Sequence, residues 1–149
     1  MDDALRDLYQ EVIVDHGRHP RNRGVLLNAN AVHEGYNPLC GDQLTVYIRE
    51  EAGRVLEIQF EGHGCAISMA SASLMTEAVR GKTVVEVEAL FHAFHDLVTE
   101  QGKPSEAALG KLVILKGVAE FPMRVKCATL CWHTIRAALR HDPAVVSTE

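Results

Sequence analysis

The sequence predicts an α+β fold, a small three-stranded antiparallel sheet packed by several helices, in one domain spanning residues 1–149. Three observations carry that expectation. Two segments rich in β-branched and aromatic residues, 44–49 and 55–60, flank a Gly-containing turn, Glu51-Ala52-Gly53-Arg54. Longer segments on both sides of this hairpin repeat apolar residues at helical spacing. A chain of 149 residues, 47% of them hydrophobic, is long enough for one core and too short for two comfortable ones.

Taken in order, Leu5, Leu8, Tyr9, Val12 and Ile13 recur with helical period opposite Asp and Glu, which predicts an amphipathic helix over 3–16 stopped by Gly17. The run 15–24 is basic, with Pro20 and Gly24 at turn positions. It reads either as a solvated loop or as a docking patch for an acidic protein surface. A short strand is expected over 31–36, ended by Pro38. In the hairpin, Leu56, Ile58 and Phe60 alternate with Glu57, Gln59 and Glu61, which aims the first three at covering helices. A helix of small residues follows over 66–80, where Ala66, Ser68, Ala70, Ser71, Ala72 and Ser73 permit close packing and Gly81 is the stop. Val84, Val87, Leu90, Phe91, Phe94 and Val98 predict a helix over 84–100, broken by Gln101-Gly102-Lys103-Pro104. A shorter helix is expected over 110–119. Pro122 interrupts, and Ala128, Leu130, Trp132, Ile135, Ala138 and Leu139 mark a last helix over 125–139. Residues 142–149 read as a frayed tail. There is no internal repeat, low-complexity tract or linker.

Composition narrows the function. A formal net charge of -5 argues against a nucleic-acid partner, which usually needs a basic face. The first seven residues are acidic where a secretion signal would be basic, and no apolar stretch approaches the ~18 residues of a membrane span. A cytoplasmic protein without a membrane partner is expected. In that compartment four cysteines point to metal binding or thiol chemistry, with two disulfides as the alternative.

The chemistry gathers around Asn37-Pro38-Leu39-Cys40-Gly41-Asp42, which sets a thiol and a carboxylate two residues apart in one loop. Cys65 and Cys127 stand at the apparent starts of two helices. Together Cys40, Asp42, Cys65 and Cys127 offer three sulfurs and one oxygen, a tetrahedral zinc set; reduced core cysteines are the alternative. Helix N-termini, with Arg124 and Lys126 beside Cys127, predict depressed thiol pKa values. Gly41, Gly62 and Gly64 let backbone approach an ion or a partner, or simply serve turns. Asp42 is a harder ligand than thiolate and suggests a centre that rearranges, unless it only caps a turn. His63 stands behind Asp42 as a ligand. His16, His19, His33, His92, His95, His133 and His141 read as surface or packing residues. Cys131, one turn after Cys127, is open as a fifth ligand, a resolving thiol or an inert core thiol.

The chain resembles the IscU/NifU-type iron-sulfur cluster assembly proteins, the SufU branch in particular. Four motifs carry the resemblance in order: Asp15-His16 with Pro20-Arg21-Asn22-Arg23-Gly24; Asn37 to Asp42; Gly62-His63-Gly64-Cys65-Ala66-Ile67-Ser68 with Ala70-Ser71-Ala72-Ser73; and Arg124-Val125-Lys126-Cys127-Ala128-Thr129-Leu130. A long segment between Cys65 and Cys127, Lys126 where the IscU branch has histidine, and Phe121-Pro122-Met123-Arg124 in place of a Leu-Pro-Pro-Val-Lys segment favour the SufU branch. The resemblance implies a zinc-dependent sulfurtransferase that accepts persulfide sulfur from a SufS-type cysteine desulfurase and serves downstream Suf cluster-assembly proteins. It implies zinc on Cys40, Asp42, Cys65 and Cys127, a desulfurase histidine that takes the place of Cys40, attack by the freed Cys40 thiolate on the persulfide, and Arg124 orienting Cys40. A scaffold holding a nascent iron-sulfur cluster on the same cysteines is the alternative reading, and a zinc-stabilised interaction domain the third.

Overall fold

The central hairpin turns where Ala52 and Gly53 both take left-handed backbone angles, φ 51° and 76°, the two-residue geometry that matches strand twist. In the computed structural model, which describes residues 3–102, 104 and 106–148, with side chains from residue 6 onward, this hairpin is β2 (Asp42–Glu51) and β3 (Arg54–His63). Expectations placed on residues 1 and 2, the Leu5 side chain, Lys103 and Glu149 lie outside the described residues. Before the hairpin come α1 (Asp3–Arg18) and β1 (Ala31–Asn37). After it come α2 (Ala66–Val79), α3 (Val84–Thr99), α4 (Glu106–Leu109), a 3-10 segment (Gly110–Glu120), α5 (Pro122–Leu139) and β4 (Val146–Ser147).

The fold is α+β, but its sheet has four strands, in the order β3-β2-β1-β4, where three were expected. The fourth comes from the tail. The Asp142 side chain accepts the Ala144 amide at 2.9 Å and turns the chain. The His33 ring then bonds the Asp142 carbonyl at 2.7 Å, and Val146 and Ser147 pair in parallel with Gly35 and Tyr36. A two-residue strand is too short to leave a period in the sequence.

Helices α2 and α5 cover one face of the sheet. Leu44, Val46, Ile48, Ile58 and Phe60 are fully or almost fully buried against Met75, Leu130, Trp132 and Ile135. Helix α3 packs outside α5, with Phe94 stacked on Trp132 at 5.2 Å between ring centres. Its start is a capping box, in which the Thr83 hydroxyl accepts the Glu86 amide and the Glu86 carboxylate accepts the Thr83 amide.

Four local expectations are corrected. Gly17 does not stop α1, which runs to Arg18; a Cβ there would sit 3.2 Å from the Ala66 carbonyl oxygen, so this glycine brings α1 against the start of α2. Val55, Ile58 and Phe60 are the inward residues of β3, and Leu56 is 40% exposed. The register explains it: Glu50 pairs with Val55 and Arg49 with Glu57, so Leu56 is the extra residue of a β-bulge and alternation restarts after it. Residues 110–120 wind as a 3-10 helix, whose three-residue repeat brings Leu112, Leu115 and Val118 to one buried line. Pro122 begins α5 instead of interrupting it, because the first turn of a helix needs no donor from its N–H. None of the described helices is long and apolar enough to cross a membrane.

Candidate metal centre

Strand β1 ends at Asn37 and β2 begins at its register partner Asp42, so Pro38, Leu39, Cys40 and Gly41 form a short loop, with Gly41 at φ 70° making the return. Cys40 sits half-buried on that loop. Asp42, the first residue of β2, is fully buried. One carboxylate oxygen accepts the Cys65 amide at 2.8 Å; the other accepts the Asn37 side-chain N–H at 3.2 Å.

Cys65 is the N-cap of α2, and its sulfur accepts the Ser68 amide at 3.4 Å. Cys127 lies in the second turn of α5, fully buried, with its sulfur 3.1 Å from that of Cys40. Ligand atoms of Cys40, Asp42 and Cys127 all fall within 4.8 Å of one another. The Cys65 sulfur stands outside this trio, tied to it through the bond from its own amide to Asp42.

A glycine makes the arrangement possible. A Cβ on residue 64 would meet the Asp42 carboxylate oxygen at 2.5 Å, so Gly64 leaves the space in which that carboxylate lies. Gly62, at φ 140°, lets β3 pass against the backbone of Gln43 and Leu44, whereas Gly41 has only open space around it.

The expectation of depressed thiol pKa values is overturned at Cys127. Burial, then hydrogen bonding with Cys40 and Asp42, pushes its thiol up. Because α5 starts at Pro122, Cys127 lies beyond the turn in which a helix dipole acts. Arg124 does stand beside the thiols. Its guanidinium is held above its ordinary value chiefly by Cys65, then by Cys127 and Cys40.

These residues fit a zinc ion. Asp42 is a buried carboxylate, and among the described residues no lysine, arginine or histidine forms an ion pair with it. A buried carboxylate beside buried sulfur is costly without a cation. Two thiolates on one tetrahedral zinc would stand about 3.8 Å apart, given Zn–S bonds of about 2.3 Å, so Cys40 and Cys127 need only a small separation to reach it. The Asn37 side-chain oxygen, beside Asp42 and Cys127, and the Ser68 hydroxyl, beside Cys65, are buried and without a partner among the described residues. Asn37 is the residue that sequence reasoning missed; the available signal was an amide side chain on the inward side of a strand end, next to a thiol loop.

Other candidates separate cleanly. His63 is exposed at the end of β3 and outside the trio. Cys131 is fully buried, 3.5 Å from the Ser71 hydroxyl, its thiol pushed up to about 12 by burial, an inert core thiol. All four cysteines are free, so the disulfide alternative is not realised. His16 is buried with its ring 2.7 Å from the Ser73 hydroxyl, a packing residue that holds the basic loop to α2. That loop spends two arginines internally: Arg21 on Asp15 at 2.6 Å, and Arg23 on the Gly62 carbonyl at 2.8 Å. It thereby braces the turn that leads into Cys65. Around the site, Leu39, Phe121 and Met123 are 55%, 60% and 59% exposed.

Comparison with known proteins shows the family of the chain. Residues 8–128 match the NifU-like N terminal domain family. The zinc-dependent sulfurtransferase SufU of Bacillus subtilis is 41% identical over 138 residues, covering 93% of each chain. The iron-sulfur cluster assembly scaffold protein IscU of Streptococcus pyogenes is 40% identical over 138 residues, 93% of this chain and 86% of the relative. A solved structure, provisionally described as an iron-sulfur cluster assembly scaffold protein for the SUF system of Fervidobacterium islandicum, superposes with a TM-score of 0.84 at 36% identity, covering 90% of this chain and 98% of the other.

Proposed function

The chain belongs to the NifU-like N-terminal domain family of iron-sulfur cluster assembly proteins, and on that premise we propose that it is a zinc-dependent sulfurtransferase that takes persulfide sulfur from a SufS-type cysteine desulfurase. Residues 1–149 act as one domain, in the cytoplasm, and pass sulfur on to downstream Suf cluster-assembly proteins. Cys40, Asp42, Cys65 and Cys127 would hold the metal, with Cys65 turning its sulfur away from the Ser68 amide to join the other three. Zinc bound there would keep these thiols as thiolates at neutral pH, which burial alone opposes.

One observation carries the transfer reading. Asp42 and Cys127 are buried in a strand and a helix and Cys65 is a helix cap, whereas Cys40 rides a loop, half-buried. It is the donor that can leave with least disturbance. Once free, the Cys40 thiolate attacks the outer sulfur of the desulfurase persulfide. A sulfur-sulfur bond forms on Cys40 as the desulfurase bond breaks, and the electron pair leaves on the desulfurase cysteine. The exposed guanidinium of Arg124 stabilises the released thiolate. Leu39, Phe121 and Met123 supply apolar area on which the partner closes and excludes water.

The name of the Streptococcus pyogenes relative favours a second reading, a scaffold that builds an iron-sulfur cluster on the same cysteines. Colour separates the two: colourless protein with one zinc per chain supports transfer, and brown protein with acid-labile sulfide supports the scaffold. The direct test is desulfurase turnover of cysteine to alanine. Wild-type protein stimulates it and Cys40→Ala does not; stimulation by Cys40→Ala at the wild-type level would reject the mechanism.

A further inference from the structure

A cavity of about 650 Å3 lies between α1, the 3-10 segment and the start of α5, and Arg124 lines it. Arg124 therefore faces both the thiols and this cavity. The volume falls in the range of small-molecule sites, which bury an apolar body and fix it with a few charges. Here Ile13, Ile67 and Val118 supply the apolar wall. Arg6, Glu100, Glu120 and Arg124 supply charge of both signs. Among the described residues none of these four has an ion-pair partner, whereas Lys116 at the same cavity is paired with Glu106 at 3.5 Å. The Arg6 guanidinium and two carboxylates left open around one apolar space, with Arg124 shared between this space and the Cys127 sulfur, suit a ligand that itself carries both carboxylate and ammonium.

We infer that this cavity binds a zwitterionic low-molecular-weight thiol of peptide size, which takes the sulfane sulfur from Cys40. The inference rests on the sulfurtransferase reading for its chemistry, although not for its binding site. The thiolate of the small molecule attacks the outer sulfur of the Cys40 persulfide. The new sulfur-sulfur bond forms on the small thiol, the old one breaks, and its electron pair returns Cys40 to a thiolate; the proton on the outer sulfur travels with it. No oxidant or reductant is consumed, and Cys40 is ready for another cycle. Arg124 serves both ends, with the ligand carboxylate on one side and the thiols on the other.

Gly117 gives a clean way to close the cavity. It lines the wall, a Cβ there meets nothing within 4 Å, and its backbone is outside the left-handed region. Gly117→Leu should fill the space without strain, and Arg6→Glu should reverse one charge at an exposed position of α1. Two measurements on the zinc-loaded full chain test the inference. In calorimetric titration, S-methylglutathione, which binds but cannot accept sulfur, should saturate the wild type and bind at least tenfold more weakly to either variant. With Cys40 loaded by the desulfurase, the rate of glutathione persulfide formation should saturate with glutathione and rise linearly with 2-mercaptoethanol. The ratio of the two rates should fall at least tenfold in the variants. Absence of S-methylglutathione binding, or equal linear dependence on both thiols, overturns the inference. So does a Gly117→Leu protein that keeps thiol binding but needs more desulfurase for half-maximal stimulation, since the cavity would then seat a partner peptide. If Cys40 never acquires a persulfide, the sulfurtransferase reading fails, and the titration still decides the site.

Discussion

Gly64→Ala tests whether Asp42 is placed by its neighbours for metal binding. The backbone at residue 64 tolerates alanine, but the new methyl would lie 2.5 Å from the Asp42 carboxylate oxygen and 3.1 Å from its Cβ and Cγ. Carbon and oxygen rest about 3.3 Å apart, so the oxygen must retreat by about 0.8 Å. The same oxygen accepts the Cys65 amide at 2.8 Å, and a retreat of that size along the bond would break it. A lost hydrogen bond to a carboxylate is worth about 1.5–3 kcal/mol. Asp42 is fully buried, with no open space to swing into. Misorienting one ligand in this way typically lowers metal affinity about 10–100-fold. Competition for zinc against a chromogenic chelator reads that loss directly. Gly53→Ala is the control: its φ of 76° makes alanine cost about 1–2 kcal/mol of stability, far from the site, and zinc affinity should stay at the wild-type value. A Gly64→Ala protein that binds zinc as tightly as the wild type would refute the reasoning.

Three further outcomes are expected. Asp42→Cys should keep zinc while lowering desulfurase stimulation, because a fourth thiolate holds the ion more tightly and resists exchange; wild-type stimulation would favour a purely structural ion. Burial is the main cause that holds His16 and His133 below the ordinary imidazole range, joined by Arg21 at His16 and by His95 and Arg136 at His133. The unfolded chain then binds protons from about pH 6.5 that the native fold refuses until lower pH, so stability falls as pH drops below about 6.5. His16→Asn should flatten the melting-temperature profile between pH 7.5 and 5.5, and parallel profiles would count against this assignment. Gly35→Ala would drive a methyl from β1 into the Thr134 hydroxyl and to 3.1 Å from Leu130 on α5. Overpacking of this kind costs about 1–3 kcal/mol, so an unchanged melting temperature would show that the sheet and α5 can separate freely.

What the sequence made legible follows from how far each determinant reaches. Hairpin and helices announce themselves locally: the Gly-containing turn at 51–54, Val84 to Val98 at helical spacing, a run of alanine and serine for a helix against a sheet. Three of the misses depend on something distant. Leu56 is displaced by a bulge that only the pairing with β2 defines. Gly17 looks like a stop until Ala66 is seen against it. Val146 becomes a strand only because β1 offers an edge. The site divides in the same way. Residue types and motif order picked out Cys40, Asp42 and Cys127, which converge, yet the protonation preference at Cys127 came out with the wrong sign because it turns on where α5 begins and how deep its second turn lies.

The coupling between Asp42 and Cys65 gives the centre a property that a ring of independent ligands would lack. Each oxygen of Asp42 already accepts one hydrogen bond, one from the Cys65 backbone and one from Asn37, so its aim is fixed by the protein before any ion arrives. The Cys65 turn in turn is braced by Arg23 on the Gly62 carbonyl, and Arg23 lies in the loop that His16 and Asn22 tie to α2 through Ser73 and Thr76. A partner that pulls on this basic loop therefore bears on Gly62, then on the Cys65 amide, then on the carboxylate. Cys40 stands outside that chain of contacts, held by its loop and by the sulfur of Cys127. Asp42 and the Cys65 backbone are thus braced together, while Cys40 is held only by its loop and one sulfur contact, an asymmetry that suits the proposed release of the Cys40 thiolate.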